Sequence, residues 1–188
     1  MKSGARALGV AESYGGNDAG RSVLCGALVR ADRVADGFAF EACSVGGTDA
    51  TDAIESLFAD LNRDDVQYVL ISGIAPAWFN VVDLRALHQS LDRPVVSVSF
   101  EASPGLDAAL RKQFDGEALR RRLATYRAQP ARQRVTVGDE TVFVRAVGVD
   151  ADRAADVVRA FTPEGGRPEP LRVARLAARA ERRWMADS

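Results

Sequence analysis

The feature that most constrains the fold is a change in the spacing of apolar residues near residue 46. Before this point, three apolar segments of strand length follow one another with short connections: residues 5–11, 22–30 and 37–45. Strands joined in this way favour an antiparallel meander. After it, helical spacing alternates with short apolar runs, in the order helix 49–62, strand 66–72, helix 80–91 and strand 94–100. This alternation predicts parallel crossover units.

The rest of the chain predicts helices around one hairpin: a helix over 105–127, strands over 133–137 and 141–147, and helices over 151–161 and 169–184. The order begins βββαβαβ, which is the core plan of the ribonuclease-H-like fold. We therefore expect an α/β fold with a mixed sheet, three antiparallel strands and then two parallel strands, with flanking helices and a small C-terminal elaboration of a hairpin plus helices. A length of 188 residues with 47% hydrophobic residues fits a single domain over residues 1–188.

Charge is unevenly distributed along the chain. The net charge is −1, so the chain as a whole does not demand a polyanionic partner. Residues 1–103 hold 8 basic and 14 acidic side chains, whereas residues 104–188 hold 17 basic and 12 acidic side chains, a local excess of +5. This excess suits a face that binds nucleic acid, and it also suits a solvated surface of ion pairs.

The cysteine and histidine content limits which kinds of metal or redox site the chain could form. Cys25 and Cys43 lie in apolar stretches without the spacing of a metal or redox motif, so we expect buried thiols in a reducing compartment. His88 is the one histidine, which excludes zinc sites rich in histidine. No run of about 18 apolar residues is present, so we expect no membrane span and a cytoplasmic protein.

Acidic residues at strand ends are the first candidates for chemistry. Nucleases with this strand order hold divalent metal ions there, and the metal activates water and stabilises the phosphoryl transition state. Glu12 ends the first predicted strand, and Asp49 and Asp52 follow the third, three residues apart at a helix start. These three are the candidate catalytic residues and the candidate ligands of Mg²⁺ or Mn²⁺. Helix capping explains Asp49 and Asp52 as well, and Ser72 ends the fourth strand, where an acid would be wanted.

The loop after the fourth strand lies where parallel sheets place their ligands, beyond the carboxyl end of the strand. Phe79, with Trp78 beside it, could stack on a nucleic-acid base or fill the edge of the core. Asn80 is a candidate contact to nucleic acid. Asn80 and Asp83 also have the spacing of a helix N-cap and the third helical residue, so capping is the alternative for both.

The final predicted helix carries the clearest electrostatic pattern. Because successive residues turn by about 100°, its arginines share one face: Arg172, Arg175, Arg179, Arg182 and Arg183. Its apolar residues share another: Val173, Leu176, Ala177, Ala180 and Trp184. Arg172, Arg175 and Arg179 are the candidate phosphate contacts. A solvated helix exterior would give the same pattern.

Six short segments of the sequence form a combined motif. They are Leu8 to Val10, Gly47 to Thr51, Ser72 to Ile74, the run Phe-Asn-Val-Val-Asp at 79–83, Arg93 to Val96, and the run Pro-Glu-Pro-Leu-Arg-Val-Ala at 168–174. Together, over about residues 5 to 180, they resemble an archaeal family of uncharacterised proteins related to endonuclease V. The resemblance implies a ribonuclease-H-like fold, magnesium or manganese, and cleavage of DNA or RNA near deaminated bases in DNA repair. Some relatives are taken to act on DNA that contains deoxyuridine.

The chain departs from the family pattern at positions that would hold the metal. The family shows two aspartates after the first strand, where this chain has Ala11 and Glu12. It shows Asp at the end of the fourth strand, where Ser72 stands, and His on the last helix, where Arg175 stands. Endonuclease V has Asp at that last position. The remaining matching acids are Asp49, Asp52 and Asp83.

Three functions are therefore open. The first is a metal-dependent endonuclease that uses the three candidate acids, with DNA as the expected substrate and RNA as the alternative. The second is a non-catalytic relative that binds nucleic acid, which the loss of family acids favours. The third is a protein-interaction module built on the Trp78–Phe79 loop, without a role on nucleic acid. The sequence leaves both catalytic activity and oligomeric state open.

Overall fold

The structure, a computed structural model, describes residues 1–15 and 20–187. Within these residues seven strands form one sheet: β1 Arg6–Ser13, β2 Arg21–Arg30, β3 Ala35–Ser44, β4 Tyr68–Ser72, β5 Val95–Ser99, β6 Gln133–Val137 and β7 Glu140–Val147. The helical segments that connect and cover them are α1 Ala50–Leu61, the single turn α2 Pro76–Phe79, α3 Leu84–Leu91, α4 Asp107–Gln113, α5 Gly116–Arg127, α6 Ala151–Ala160 and α7 Glu169–Asp187.

The sheet has the strand order β3-β2-β1-β4-β5-β7-β6. β1, β2 and β3 form an antiparallel meander, β4 is parallel to β1, and β5 is parallel to β4. The predicted ribonuclease-H-like plan of three antiparallel strands followed by two parallel strands is thus confirmed. The β6–β7 hairpin, expected as an added elaboration, instead extends the sheet, because β7 pairs antiparallel with β5.

Apolar side chains fill both faces of the sheet. On one face α1 and α3 cover the strands, and the buried residues include Leu8, Val10 and Leu57. Gly26 on β2 makes this packing close, since a Cβ there would overlap the side chain of Leu57. On the opposite face the buried side chains of β4, β5, the hairpin and α6 form a second cluster that includes Phe161.

Helix α7 lies across β1 and β2 and packs against them with small side chains. Ala174 of the helix is buried against Ala11 and Ala27 of the strands. Gly9 on β1 allows the start of the helix to touch the sheet, because a Cβ at this position would overlap the backbone of Pro170. The small residues therefore set how closely α7 approaches the strand ends.

The buried face of α7 differs from the face that its large apolar residues share. Ala174 and Ala178 are fully buried, whereas Leu176 and Trp184 are 53% and 67% exposed. Close contact with the sheet selects small side chains, so α7 buries its alanines there and leaves Leu176 and Trp184 exposed.

Helix α3 begins later than expected. Asp83 is its N-cap, and its carboxylate accepts hydrogen bonds from the backbone amides of Arg85 and Ala86 at 2.9 and 3.2 Å. Asn80 therefore lies before the helix and does not cap it. Capping at Asp83 satisfies two of the amides that a helix start leaves without partners.

The single helix expected after β5 is two helices, α4 and α5. Phe114 between them is extended, and Gly116 has a φ of 50°. Arg122 on α5 is buried and donates hydrogen bonds to the carbonyl oxygens of Gly46 and Gly47, the latter at 2.9 Å. Its guanidinium carbon lies 4.0 Å from the centre of the Phe114 ring. The break thus lets α5 hold the loop that follows β3.

The cysteines behave as predicted. Cys25 and Cys43 are buried and free. Burial raises the pKa of both thiols to about 12, so neither is a ready nucleophile. Separately, none of the helices that the structure describes has the length and apolar character needed to cross a membrane.

Candidate functional site

The carboxyl ends of β1 and β4 lie side by side, because the two strands are parallel and Val10 pairs with Ile71. Residues beyond this pair gather at one edge of the sheet, where α/β proteins place their sites. Helix α7 contacts both strands at this edge. A groove of about 480 Å³ lies there, which we call the α7 groove, and its lining residues are Ala11, Glu12, Ser13, Tyr14, Ser72, Arg175, Arg179, Arg182 and Arg183.

Three lining residues are positions where the resemblance implies an acid or a histidine and this chain has neither. Ala11, Ser72 and Arg175 are far apart in sequence, and the structure brings them to one groove. Strand alternation explains this: Val10 and Ile71 belong to the core on the opposite face, so the next residue of each strand faces α7. The changes therefore alter one place in the molecule.

Glu12 is the carboxylate of the α7 groove. One of its oxygens, Oε2, accepts hydrogen bonds from the Ser22 hydroxyl at 2.9 Å and from the Ala77 amide at 2.7 Å. Burial raises the pKa of Glu12 above its ordinary value, and these two hydrogen bonds oppose the shift because they favour the ionised form. Two hydrogen bonds thus hold Oε2 of Glu12 in place, while burial raises the free energy needed to ionise its carboxyl group.

A left-handed turn presents the Ala77 amide to Glu12. Ala77, Trp78 and Phe79 have φ angles of 47°, 59° and 60°, and each such angle costs a non-glycine residue about 1 kcal/mol or more. The carbonyl oxygen of Ala77 accepts a 2.7 Å hydrogen bond from the amide of Gly46. The peptide groups around Ala77 are therefore anchored from two sides, which maintains the strained turn.

The candidate phosphate-binding arginines have different surroundings. Arg175 and Arg179 line the α7 groove and have no hydrogen bond or ion pair within the part of the chain that the structure describes. Arg172 lies outside the groove, and its guanidinium donates to the Glu169 carboxylate at 2.7 and 2.6 Å. Arg175 and Arg179 are thus available to an anion, whereas Arg172 already has one.

Asp49 and Asp52 are not among the residues that line the α7 groove. The Asp49 carboxylate accepts hydrogen bonds from the Ser44 amide at 3.0 Å, the Ser44 hydroxyl at 2.8 Å and the Asn80 side chain at 2.6 Å. Burial would raise the pKa of Asp49, but these hydrogen bonds outweigh it and lower the pKa. Asp52 is exposed in the first turn of α1. Neither Asp49 nor Asp52 therefore lines the α7 groove with Glu12.

The loop candidates Phe79 and Asn80 have structural contacts. Asn80 is fully buried, and its Oδ1 accepts a 2.9 Å hydrogen bond from the Ala50 amide at the start of α1. A side chain in this position orients the loop and does not meet a ligand in this conformation. Phe79 is half-buried, with its ring edge-on to Phe114 at 6.1 Å between centroids, while Trp78 is 36% exposed.

The donor set of the α7 groove does not fit a divalent metal ion. Magnesium and manganese need several hard oxygen ligands. Glu12 offers one carboxylate, Ser72 and Ser13 offer hydroxyls, and the hydroxyl of Ser13 already accepts a 2.9 Å hydrogen bond from Arg182. The arginines would repel a cation. Across residues 1–15 and 20–187, no group of three or more His, Cys, Asp or Glu side chains could hold a metal ion.

Sequence reasoning missed several basic residues of this region. Arg182 and Arg183 belong to the predicted stripe and line the α7 groove, but they were not among the named candidates. Arg132, Arg145 and Arg167 line an adjoining cavity. The signal that could have pointed to them is the positive excess of residues 104–188, which the final helix alone does not account for.

Comparison of the fold places it among known structures. A protein of unknown function from Archaeoglobus fulgidus is similar with a TM-score of 0.78 and 25% identity, over 94% of this chain and 98% of that protein. Endonuclease V from Ciona intestinalis, solved with a 24mer DNA that contains an inosine followed by a ribo-adenosine, is similar with a TM-score of 0.65 and 12% identity, over 96% of this chain and 87% of that enzyme. The chain thus has the ribonuclease-H-like fold of endonuclease V.

Comparison of the sequence is more specific. A family described as endonuclease dU matches residues 3–181. A UPF0215 protein of Pyrobaculum aerophilum is 35% identical over 182 residues, which cover 95% of each chain. The chain belongs to the endonuclease dU family, as its sequence motifs had indicated.

Proposed function

We propose that this chain binds nucleic acid along the α7 groove, where arginine side chains contact the phosphate backbone at the place that metal ligands occupy in the family pattern. The observation that carries the proposal is that Arg175 lines one groove with Ala11 and Ser72. Two acids are thereby replaced with uncharged residues and a cation is added. The chemistry of the groove changes from one that attracts a metal ion to one that attracts an anion directly.

The charges of the α7 groove favour a polyanion. Four arginines line it beside the single carboxylate of Glu12. Guanidinium groups bind phosphate oxygens with two parallel hydrogen bonds, and the stripe runs along a helix, which suits a repeating ligand better than a compact one. The endonuclease V of Ciona intestinalis, which has the same fold, was solved with bound DNA. This supports nucleic acid as the partner, with DNA as the first candidate.

Binding is tested with fluorescence anisotropy on labelled single-stranded and duplex DNA at several salt concentrations. We expect the logarithm of the association constant to fall linearly with the logarithm of salt concentration, with a slope of about −3 to −4 for duplex DNA if each arginine neutralises one phosphate. The double variant Arg175→Ala/Arg179→Ala should reduce this slope by about 2. Absence of binding at low salt, or binding independent of salt, would refute the proposal.

Arg159→Ala is the matched control for the groove variants. Arg159 is an exposed arginine on α6 that forms an ion pair with Asp156 and does not line the α7 groove. We expect its affinity and salt slope to equal those of the unchanged protein. An equal loss in this variant and in the groove variants would mean that net charge alone governs binding.

Metal-dependent hydrolysis of DNA near a deaminated base is the second candidate function, and membership of the endonuclease dU family favours it. In this case Glu12, Asp49 and Asp52 are the acids that would hold the metal ion, although Asp49 and Asp52 do not line the α7 groove. Calorimetric titration with Mn²⁺ and Mg²⁺ separates the candidates. Micromolar binding that is lost in both Glu12→Gln and Asp49→Asn, together with cleavage of deoxyuridine or deoxyinosine DNA, supports hydrolysis. No binding up to millimolar metal rules it out.

A further inference from the structure

A second cavity opens beside the α7 groove, on the side of β5 and β7. Its volume is about 400 Å³, within the range of small-molecule sites, and it shares Glu12, Ser72 and Arg175 with the groove. We call it the arginine pocket after four of its lining residues, which are Arg132, Arg145, Arg167 and Arg175.

None of the four arginines of the pocket has a carboxylate partner among residues 1–15 and 20–187. Arg167 and Arg175 form no ion pair or hydrogen bond within the described residues. Arg132 donates to the backbone carbonyl oxygens of Ser103 and Glu101, and its Nε is buried without a partner. Some N–H donors of these guanidinium groups are thus bonded to neutral carbonyl oxygens, and others have no acceptor among the described residues. The latter donors remain for a ligand.

The positive charges of the pocket also act on one another. The pKa of Arg132 is lowered by burial and then by the nearby charge of Arg145. The pKa of Arg167 is lowered by burial and then by Arg175 and Arg179. An arrangement that brings like charges together in a partly buried place is unfavourable without a counter-ion. An anion in the pocket would remove this repulsion.

Aromatic rings fix the directions of the arginines. The guanidinium of Arg132 lies 4.0 Å from the centre of the Phe143 ring, and that of Arg145 lies 5.4 Å from the centre of the Tyr126 ring. A guanidinium held over an aromatic ring has less conformational freedom to lose when it binds a ligand. The pocket is therefore preorganised, unlike a set of mobile surface arginines.

The balance of charge indicates the class of anion. Four arginines and two carboxylates, Glu12 and the exposed Glu101, line the pocket, which leaves an excess of two positive charges. A phosphomonoester carries close to two negative charges at neutral pH, because its second pKa is about 6, whereas a phosphodiester carries one. The remaining volume and the rings of Tyr126 and Phe143 suit an attached nucleoside.

We propose that the arginine pocket binds the phosphomonoester group of a nucleotide, either a free nucleoside monophosphate or the phosphorylated end of a strand. The proposal extends the function proposed above, since the pocket and the α7 groove share Glu12, Ser72 and Arg175. It does not depend on strand binding, because a mononucleotide is sufficient to fill the pocket.

The test is calorimetric titration of the full chain with thymidine 5′-monophosphate and with thymidine. We expect the monophosphate to bind and thymidine to show no binding at the same concentrations. Arg145→Gln and Arg167→Gln, which keep much of the side-chain length, should each weaken monophosphate binding about tenfold or more, since each removes charged hydrogen bonds. Equal binding of monophosphate and thymidine, or unchanged affinity in both folded variants, would overturn the proposal.

Arg134→Gln is the matched control. Arg134 is exposed and lies 5.9 Å from the same Phe143 ring, but it does not line the pocket. Its affinity for the monophosphate should be unchanged. A loss equal to that of Arg145→Gln would show that general charge, and not the pocket, binds the phosphate, and would count against the proposal.

Competition distinguishes the two sources of the phosphate. A 5′-phosphorylated oligothymidylate that displaces the monophosphate at about tenfold lower concentration than its 5′-hydroxyl counterpart identifies a strand end. Equal displacement by the two strands, with the variant effects retained, identifies a free nucleotide. Arg182→Ala with Arg183→Ala, at two residues that line the α7 groove and not the pocket, should weaken strand binding and leave monophosphate binding intact, so the two proposals can fail separately.

Discussion

The backbone amide of Ala77 donates a 2.7 Å hydrogen bond to the carboxylate of Glu12, which joins the end of β1 to a strained turn 65 residues later in the chain. The same carboxylate oxygen accepts from Ser22 of the neighbouring strand. Glu12 is therefore a structural link as well as the acid of the groove, and changes at this position act on both.

Replacement of Glu12 with Gln should stabilise the folded protein at neutral pH. Burial raises the pKa of Glu12, so the folded state holds the proton more tightly than the unfolded state and loses stability as the pH rises above about 4. The amide oxygen of Gln can still accept both hydrogen bonds. Urea unfolding between pH 3 and 8 should show a gain for Glu12→Gln that disappears below about pH 4, and a loss at neutral pH would contradict the expectation.

Replacement of Asp49 with Asn should have the opposite dependence on pH. Although burial opposes it, hydrogen bonding lowers the pKa of Asp49, so the ionised carboxylate stabilises the fold above about pH 4 and the contribution is lost as the pH falls. We expect Asp49→Asn to lower the free energy of unfolding by about 1–3 kcal/mol at pH 7 and to match the unchanged protein at about pH 2. Asp52→Asn, an exposed change on the same helix, is the control and should have little effect at either pH.

Gly9→Ala should destabilise the protein by about 1–3 kcal/mol or more, because the added Cβ would overlap the backbone of Pro170 and rigid backbone cannot move aside. Gly4→Ala, where no atom lies within 4 Å of the added Cβ, should change stability by less than about 0.5 kcal/mol. Thermal unfolding monitored by circular dichroism measures both. Equal effects of the two substitutions would mean that α7 can shift without penalty.

The arginines of α7 should not contribute equally to nucleic-acid binding. Arg179 lines the groove and has no hydrogen bond or ion pair among the described residues, whereas Arg172 is paired with Glu169 outside it. We therefore expect Arg179→Ala to reduce the salt slope of duplex binding by about 1 and Arg172→Ala to change it by much less. Anisotropy titrations at several salt concentrations decide this, and the reverse order would place the strand on another face of the helix.

The triple variant Ala11→Asp/Ser72→Asp/Arg175→Asp should bind Mn²⁺. Its three new carboxylates would line the groove beside Glu12 and supply the hard oxygen ligands that the groove lacks. Calorimetry should show metal binding in the triple variant and not in the unchanged chain, provided that circular dichroism shows both to be folded. Ala11→Asn/Ser72→Asn/Arg175→Asn, with similar volume and without charge, is the control.

The sequence predicts the order of strands well because each strand is set by local apolar patterning. The meander and the crossovers follow from connection length alone. The β6–β7 hairpin is recognisable from its turn, but its pairing with β5 depends on contacts that are distant in sequence. Local sequence patterns therefore specify where strands and helices form better than they specify which strands pair in the sheet.

The site is predicted less completely because its geometry depends on distant contacts. The helical spacing of α7 indicates which arginines share a face, but ion pairing to Glu169 separates Arg172 from the rest. Nothing local marks Asn80 as a buried link to α1, or Ala77 as a residue at positive φ, since both are imposed by tertiary contacts. Arg122 is likewise buried only because the chain breaks at Phe114 and turns α5 towards the loop after β3.

The proximity of Ala11, Ser72 and Arg175 has an evolutionary consequence. Ligands of one metal ion are useful only as a set, so the loss of one relaxes selection on the others at the same moment. A groove in that condition can accept a basic side chain in a single substitution at position 175, because Arg175 lines the groove and is not a buried core residue, whereas Ala11 belongs to the buried contact with α7. The α7 groove is thus a place where a lineage can exchange one kind of phosphate chemistry for another while the scaffold stays as it was.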